Sequence, residues 1–140
     1  MCIHDDIQNL RKDMEALVPL ADLVKAAQNK PGSGWKEYRV PSGRAVGHEL
    51  LVVPGKFAIQ RVLMDKGTEF PEHMHTDCVE IGIVVEGSLL LWYRGKKTQL
   101  GAGDHMVFGP NEGHRGLTLE DTEIVSVSCP PDLGYPGVGI

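Results

Sequence analysis

The sequence of 140 residues predicts an all-β barrel or sandwich that is preceded by a helical segment. Two observations predict the β part: short apolar runs with a period of two recur after residue 35, and Gly- and Pro-rich turns separate them. A third observation predicts the helical part, because apolar residues recur with a helical period only within the first thirty positions. The composition, with 41% hydrophobic and 24% charged residues, is typical of one globular domain.

The N-terminal region contains one apolar stripe with alternating spacings of four and three residues. Its members are Ile3, Ile7, Leu10, Met14, Leu17, Ala21 and Val24. Pro19 interrupts this pattern because proline lacks an amide donor, so we expect two short helices over residues 4–17 and 19–29. Residues 1–34 are therefore interpreted as a helical arm and a linker. The stripe either packs against the barrel of its own chain or forms a dimer contact, and both alternatives stay open.

Ten short strands follow the linker, each ending at a turn signal such as Pro54-Gly55, Lys66-Gly67 or Arg94-Gly95. The predicted ranges are 38–40, 46–53, 57–65, 70–75, 80–85, 88–93, 98–100, 105–108, 116–119 and 122–128. Regularly spaced short strands favour a sandwich or a barrel over residues 35–129. Residues 130–140 are rich in Pro and Gly, so an irregular C-terminal tail is expected there.

Charge and composition exclude several classes of function. The formal net charge of −5 argues against nucleic acid and against an anionic membrane as partners. No run of about 18 apolar residues predicts a transmembrane helix, and the N-terminus lacks the apolar core of a secretion signal. Three cysteines are too few, and odd in number, for a disulfide framework, so a cytoplasmic location is expected.

Two segments carry side chains that suit a metal ion. His73 and His75 are two positions apart, so on a strand both imidazoles would project from one face, and Glu80 follows on the next strand. A second segment, from Gly103 to His114, would present a further imidazole from a loop. Neutral imidazoles and a carboxylate suit first-row divalent metals, so these four side chains are the candidate ligands of one ion.

These segments resemble the two conserved motifs of the cupin superfamily. The first motif places a glycine, His-x-His, a glutamate and a glycine at fixed separations, and the sequence meets every position from Gly67 to Gly87. In the second motif Gly103 and His114 have the right separation, but Pro110 is one place late and Gly113 is two places late. Thr118 stands where the motif ends in asparagine.

The resemblance implies a double-stranded β-helix, the cupin jelly-roll barrel, after the helical arm, and a homodimer as its assembly. It also implies that the residues matching the motifs, His73, His75, Glu80 and His114, bind the metal and leave positions open for water or substrate. Three neutral imidazoles and one carboxylate would leave about one positive charge on a divalent complex, which favours an anionic or chelating guest. The expected metal is Fe, Mn, Ni or Zn, and no residue of the sequence distinguishes among these four.

The remaining polar residues have less specific interpretations. His48 and His105 are not expected to be ligands, and His105 is interpreted as a structural histidine among apolar neighbours. Cys78 is interpreted as a small buried hydrophobe, with a ligand or redox role as the alternative. Arg61 and Arg115 are expected at the surface, although either guanidinium would suit a substrate carboxylate.

The function expected from this resemblance is that of a metal-dependent enzyme acting on a small organic molecule, as an oxygenase, an isomerase or a decarboxylase. The alternative is a non-catalytic module that binds or senses a small molecule or a metal. Whether the protein is an enzyme at all is left undecided at this stage, because a fold and a metal site do not define a reaction.

Overall fold

The computed structural model describes residues 35–132, which form ten β-strands and no helix. The strands are β1 (Lys36–Tyr38), β2 (Ala45–Val53), β3 (Phe57–Met64), β4 (Glu69–His73), β5 (Val79–Glu86), β6 (Ser88–Tyr93), β7 (Lys96–Gly101), β8 (His105–Phe108), β9 (His114–Thr118) and β10 (Thr122–Cys129). The all-β prediction is confirmed, whereas the predicted helical arm lies outside the described residues. In this part of the chain no helix has the length and apolar character needed to cross a bilayer.

The strands form two antiparallel sheets. The six-stranded sheet has the order β1-β2-β3-β10-β5-β8, and the four-stranded sheet has the order β4-β9-β6-β7. Strands that are far apart in the chain are therefore neighbours, since β10 lies between β3 and β5 while β9 lies between β4 and β6. This order places the two segments with candidate ligands side by side, because β4 and β9 are hydrogen-bonded partners.

Alternation along the strands separates the space between the sheets from the outer surfaces. One core cluster consists of Val84, Leu89, Leu91, Leu100 and Phe108, contributed by both sheets. A second cluster consists of Tyr38, Ala45 and Met64, at the β1 end of the six-stranded sheet. A cavity lies between these clusters, so the core holds the walls of the site in place.

All ten predicted strands are present, but two of their ends differ in a way that affects the site. Strand β4 ends at His73, so His75 lies in the loop that follows and not on the strand. Strand β9 begins at His114, which the sequence had placed in a loop before the strand. The prediction that strand alternation directs both imidazoles to one face is therefore wrong for His75, whose direction the loop decides.

A buried group of threonines fixes the start of β4 against the end of β9. Thr68 is fully buried, and its amide donates to Oγ1 of Thr118 at 2.8 Å. The Thr118 hydroxyl donates in turn to the carbonyl oxygen of Asp65 at 2.7 Å. Thr118 stands at the motif's asparagine position, and these bonds show how a shorter polar side chain anchors the turn there.

Candidate metal centre

Three imidazoles meet at one end of the space between the sheets. His73 ends β4, His114 begins β9, and these two residues are register partners. Their ring centroids are 4.2 Å apart, and the ring of His75 lies 5.2 Å from His73 and 5.7 Å from His114. Each ring offers a nitrogen that lies within 4.8 Å of the nitrogens offered by the other two. The three histidines predicted from the two motifs are therefore close enough to bind one ion.

The outward nitrogen of each of these rings has an acceptor of its own. Nδ1 of His73 lies 2.8 Å from the carbonyl oxygen of Pro71. Nδ1 of His75 lies 2.8 Å from Oδ2 of Asp132, and Nδ1 of His114 lies 3.1 Å from the carbonyl oxygen of Glu112. An acceptor at Nδ1 assigns a proton to that nitrogen and leaves Nε2 to act as the ligand atom. All three rings are thus oriented as metal-binding histidines usually are.

Glu80 adds a carboxylate from β5. Its Oε2 lies 2.6 Å from Nε2 of His75, and its Oε1 lies 3.5 Å from the hydroxyl of Ser126. The distance to His75 is that of an ion pair, so the buried Nε2 of His75 faces the carboxylate of Glu80. Three imidazoles and one carboxylate suit a first-row divalent ion.

Burial and the acidic neighbours separate the pKa values of the histidines. Burial lowers the pKa of His73 to about 4, and it also lowers the pKa of His114. The contact with Glu80 raises the pKa of His75 to about 9, with Asp132 adding to this effect and burial opposing it. Burial would raise the pKa of Glu80, but its contact with His75 and the nearby imidazoles lower it overall. Without an ion, His75 therefore keeps a second proton on Nε2, where a metal would replace it.

Asp132 is the site residue that the sequence analysis missed. It lies just after β10, in the stretch interpreted as an irregular tail, and its amide donates to the hydroxyl of Ser128 at 2.8 Å. Its carboxylate meets His75 and also the thiol of Cys78, at 3.8 Å from Sγ. No local signal marks this residue, because an isolated aspartate after a strand has no characteristic spacing.

Cys78 is buried, as the sequence analysis expected, and its neighbours keep it protonated. Burial raises the pKa of its thiol to about 11, with the charge of Asp132 as a further cause. A thiol, and not a thiolate, is therefore present near neutral pH, and a thiol is a poor ligand and nucleophile. His75, Cys78 and Asp132 are close enough together to offer a second donor set, but the protonated thiol makes it the weaker one.

A cavity of about 110 Å³ opens from the histidines into the space between the sheets. Its walls are mainly apolar, and the polar side chains of Tyr38, Gln60 and Ser126 also reach it. Phe70 and Phe108 are among the aromatic rings that line it. The cavity has room for several waters or for a small organic molecule beside an ion.

The other residues considered from the sequence lie elsewhere. His105 is exposed at the start of β8 and lies outside the histidine cluster. His48 stacks on Trp35. Arg61 forms an ion pair with Glu123, and the guanidinium of Arg115 lies 4.1 Å from the ring centroid of Trp92. Neither arginine lines the cavity.

The comparisons with known proteins give one family-model match and a set of similar solved structures. The family model described as the cupin domain matches residues 60–128, which include all four candidate ligands. A search of the curated proteins finds no match.

Solved structures show the same fold. KdgF from Halomonas sp. is 24% identical with a TM-score of 0.61, covering 64% of this chain and 81% of that chain. A predicted oxalate decarboxylase from Thermotoga maritima is 19% identical with a TM-score of 0.61, and the match covers 71% of this chain and 96% of that chain. An RmlC-like cupin from Shewanella frigidimarina NCIMB 400 is 21% identical with a TM-score of 0.59, and the match covers 74% of this chain and 90% of that chain.

Proposed function

The chain belongs to the cupin superfamily, and on this basis we propose that it is a metal-dependent enzyme acting on a small organic molecule. The proposed ligands of one divalent ion are His73, His75, Glu80 and His114. One observation carries this proposal: every Nδ1 of the three histidines has an acceptor, which leaves Nε2 as the ligand atom of each ring, and Glu80 lies 2.6 Å from that atom of His75. Such an arrangement supports metal coordination better than a purely structural role.

The residues of the proposed site have different roles. The three imidazoles and Glu80 would hold the ion, and Asp132 keeps the ring of His75 in one orientation. A bound divalent ion would polarise a carbonyl group or make a water molecule more acidic. The apolar walls exclude bulk water, and the polar groups of Tyr38 and Gln60 on the cavity wall are available to orient a guest.

Asp132 changes the expected charge of the guest. A divalent ion with Glu80 alone would leave one positive charge, but the carboxylate of Asp132, 2.8 Å from His75, brings the local sum close to zero. A neutral or singly charged molecule is therefore the proposed guest. Oxygenase, isomerase and decarboxylase chemistry all stay within the proposal, and one structural neighbour is described as a predicted oxalate decarboxylase.

The size of the cavity favours a second candidate function. About 110 Å³ is small beside the roughly 300–1,000 Å³ of common ligand pockets, which supports a module that binds or senses a metal or a very small molecule without catalysis.

The homodimer and the cytoplasmic location expected from the sequence also remain proposals. Light scattering of the purified chain tests whether it is a homodimer.

Elemental analysis of the purified protein tests the metal site. We expect one divalent ion per chain, and we expect its loss in His75→Ala with the circular dichroism spectrum unchanged. His105→Ala is the matched control, because His105 is exposed and lies outside the histidine cluster. Equal metal contents in His75→Ala and the unsubstituted protein would contradict the proposed ligand set.

Oxygen uptake then separates the candidate functions. Iron near one equivalent, with uptake triggered by a small carboxylate or phenol, would support an oxygenase. Zinc near one equivalent without uptake would favour isomerisation or simple binding. A protein that holds metal but transforms no compound of the screen would favour the sensor.

A further inference from the structure

The loop of residues 109–113 connects β8 to β9 and carries the chain into His114. It is also where the sequence departs from the cupin motif, because Pro110 and Gly113 are displaced from their usual places. Within it, Asn111 has a φ of 64°, in the left-handed region that asparagine tolerates better than most residues. A loop that differs from the motif needs its own contacts to fix the direction of the histidine.

The side chain of Glu112 supplies such contacts on two sides. Its Oε1 accepts a hydrogen bond from the amide of Gly109 at 2.7 Å, which closes the loop on itself. Its Oε2 accepts the hydroxyl of Tyr93 at 2.5 Å and Nε of Arg94 at 2.9 Å, at the end of β6. Both oxygens of the carboxylate are therefore used, and together they tie the loop to the neighbouring strand.

The backbone of the same loop contacts two of the candidate ligands. The carbonyl oxygen of Glu112 accepts Nδ1–H of His114 at 3.1 Å. The amide of Asn111 donates to the carbonyl oxygen of His75 at 2.7 Å. The ring of His114 also stacks on Phe108, with centroids 3.6 Å apart and planes 3° from parallel. A shift of this loop would therefore alter both His114 and the loop that carries His75.

We infer that Glu112 is a positioning residue, whose carboxylate fixes the 109–113 loop so that the loop's carbonyl oxygen holds His114 in the metal-binding orientation. This inference rests on the proposed function. A surface ion pair with Arg94 alone would contribute little. The carboxylate of Glu112, however, accepts hydrogen bonds from three residues, and its own backbone oxygen is the partner of the histidine.

Gly109 offers a second way to disturb the same contact. A Cβ atom at this position would lie 2.7 Å from Oε1 of Glu112, which is shorter than the 3.0 Å that Cβ atoms keep from other heavy atoms. Gly109 does not have a positive φ, so alanine fits its backbone and acts only by displacing the carboxylate. Gly109→Ala should therefore weaken the site when Glu112 is present and have no further effect after Glu112→Ala.

The test compares these two substitutions singly and together in the full chain. The first readout is Co²⁺ affinity, measured by competition with a chromophoric chelator, together with the visible spectrum of bound Co²⁺. The second readout is the tautomer of His114 in the metal-free protein, from long-range ¹H–¹⁵N spectra. Gly101→Ala and Glu120→Ala are the controls, because a Cβ on Gly101 meets no atom within 4 Å and the carboxylate of Glu120 accepts its hydrogen bond from Ser88, at the start of β6.

We expect each single substitution to weaken Co²⁺ binding by about 10- to 100-fold, the usual effect of losing an outer partner of a ligand. The Co²⁺ spectrum should change, the Nδ1–H tautomer of His114 should lose its dominance, and the double variant should match Glu112→Ala. Should Glu112→Ala fold poorly, Tyr93→Phe removes one donor while keeping its ring against Phe108, and it should give a smaller loss of the same kind.

Unchanged affinity and an unchanged His114 tautomer in Glu112→Ala would overturn the inference. Losses that multiply in the double variant would also overturn it, because the two residues would then act independently. If the unsubstituted protein binds no Co²⁺, the proposed function fails, while the tautomer of His114 in metal-free protein still decides the role of Glu112.

Discussion

Nδ1 of His75 lies 2.8 Å from Oδ2 of Asp132, a residue 57 positions further along the chain. This contact joins the loop after β4 to the segment after β10, so the imidazole is held by two parts of the chain that no short motif connects. The opposite nitrogen of the ring faces Glu80 at 2.6 Å. His75 is thus placed between two carboxylates, of which one fixes its orientation and the other is a candidate ligand.

Replacing Asp132 by asparagine should weaken metal binding without unfolding the protein. Asparagine keeps the shape and the backbone bonds to Ser128, but it removes the negative charge that makes the His75 imidazole a stronger ligand. We expect about 10- to 100-fold weaker binding of Zn²⁺ or Co²⁺ by chelator competition. Asp77→Asn, at an exposed position, is the control, and an equal loss in that variant would contradict the specific role of Asp132.

Metal binding near neutral pH should release about one proton. The pKa of His75 is raised to about 9, so its ring is protonated at pH 7 and must lose a proton to bind an ion. The pKa of His73 is about 4 and that of His114 is also lowered, so neither adds to the release. Affinity should therefore rise by about tenfold per pH unit from pH 7 and level off near pH 9.

Calorimetry in buffers of different ionisation enthalpy measures this release directly. The variant His75→Ala, if any binding remains, should release no proton at pH 7. A release near zero for the unsubstituted protein, or near three protons, would contradict the assignment of the raised pKa to His75 alone.

Replacing Thr118 by valine should lower the free energy of unfolding by about 1–3 kcal/mol, the usual cost when hydrogen bonds of buried groups are lost. The side chain keeps its volume but no longer donates to Asp65 or accepts from the amide of Thr68. Urea unfolding of the metal-free protein measures the change. Thr98→Val on the exposed part of β7 is the control, and a similar loss there would show that the effect is not specific to the buried turn.

Replacing Gly47 by alanine should destabilise the barrel near the cavity. The side chains of Tyr38 and Gln60 occupy the space that a Cβ at this position would need, so the substitution overpacks the wall by about 1–3 kcal/mol. Gly82→Ala is the matched control. Its Cβ would meet only the flexible chain of Met106, at 3.0 Å, so a smaller loss is expected in urea unfolding. Equal losses would contradict this difference.

The strands could be predicted because their signals are local. Each strand is marked by apolar residues with a period of two, and the turn beside it is marked within the same short segment. Three such turns contain a glycine with positive φ, at Gly55, Gly67 and Gly95. The ends of β4 and β9 were harder to predict, since His73 and His114, the last residue of β4 and the first of β9, are register partners from distant parts of the chain. A pairing partner some forty residues away leaves no trace in the neighbouring sequence.

The sequence by itself determined the strand pattern and the supply of three imidazoles and one carboxylate, because spacing and side-chain chemistry are properties of short segments. The tertiary structure decided which groups hold those side chains, as the roles of Asp132 and Glu112 illustrate. Both depend on segments brought together by the order of strands in the two sheets. Hydrogen bonds act over about 3 Å, so they follow distance in space and not separation along the chain.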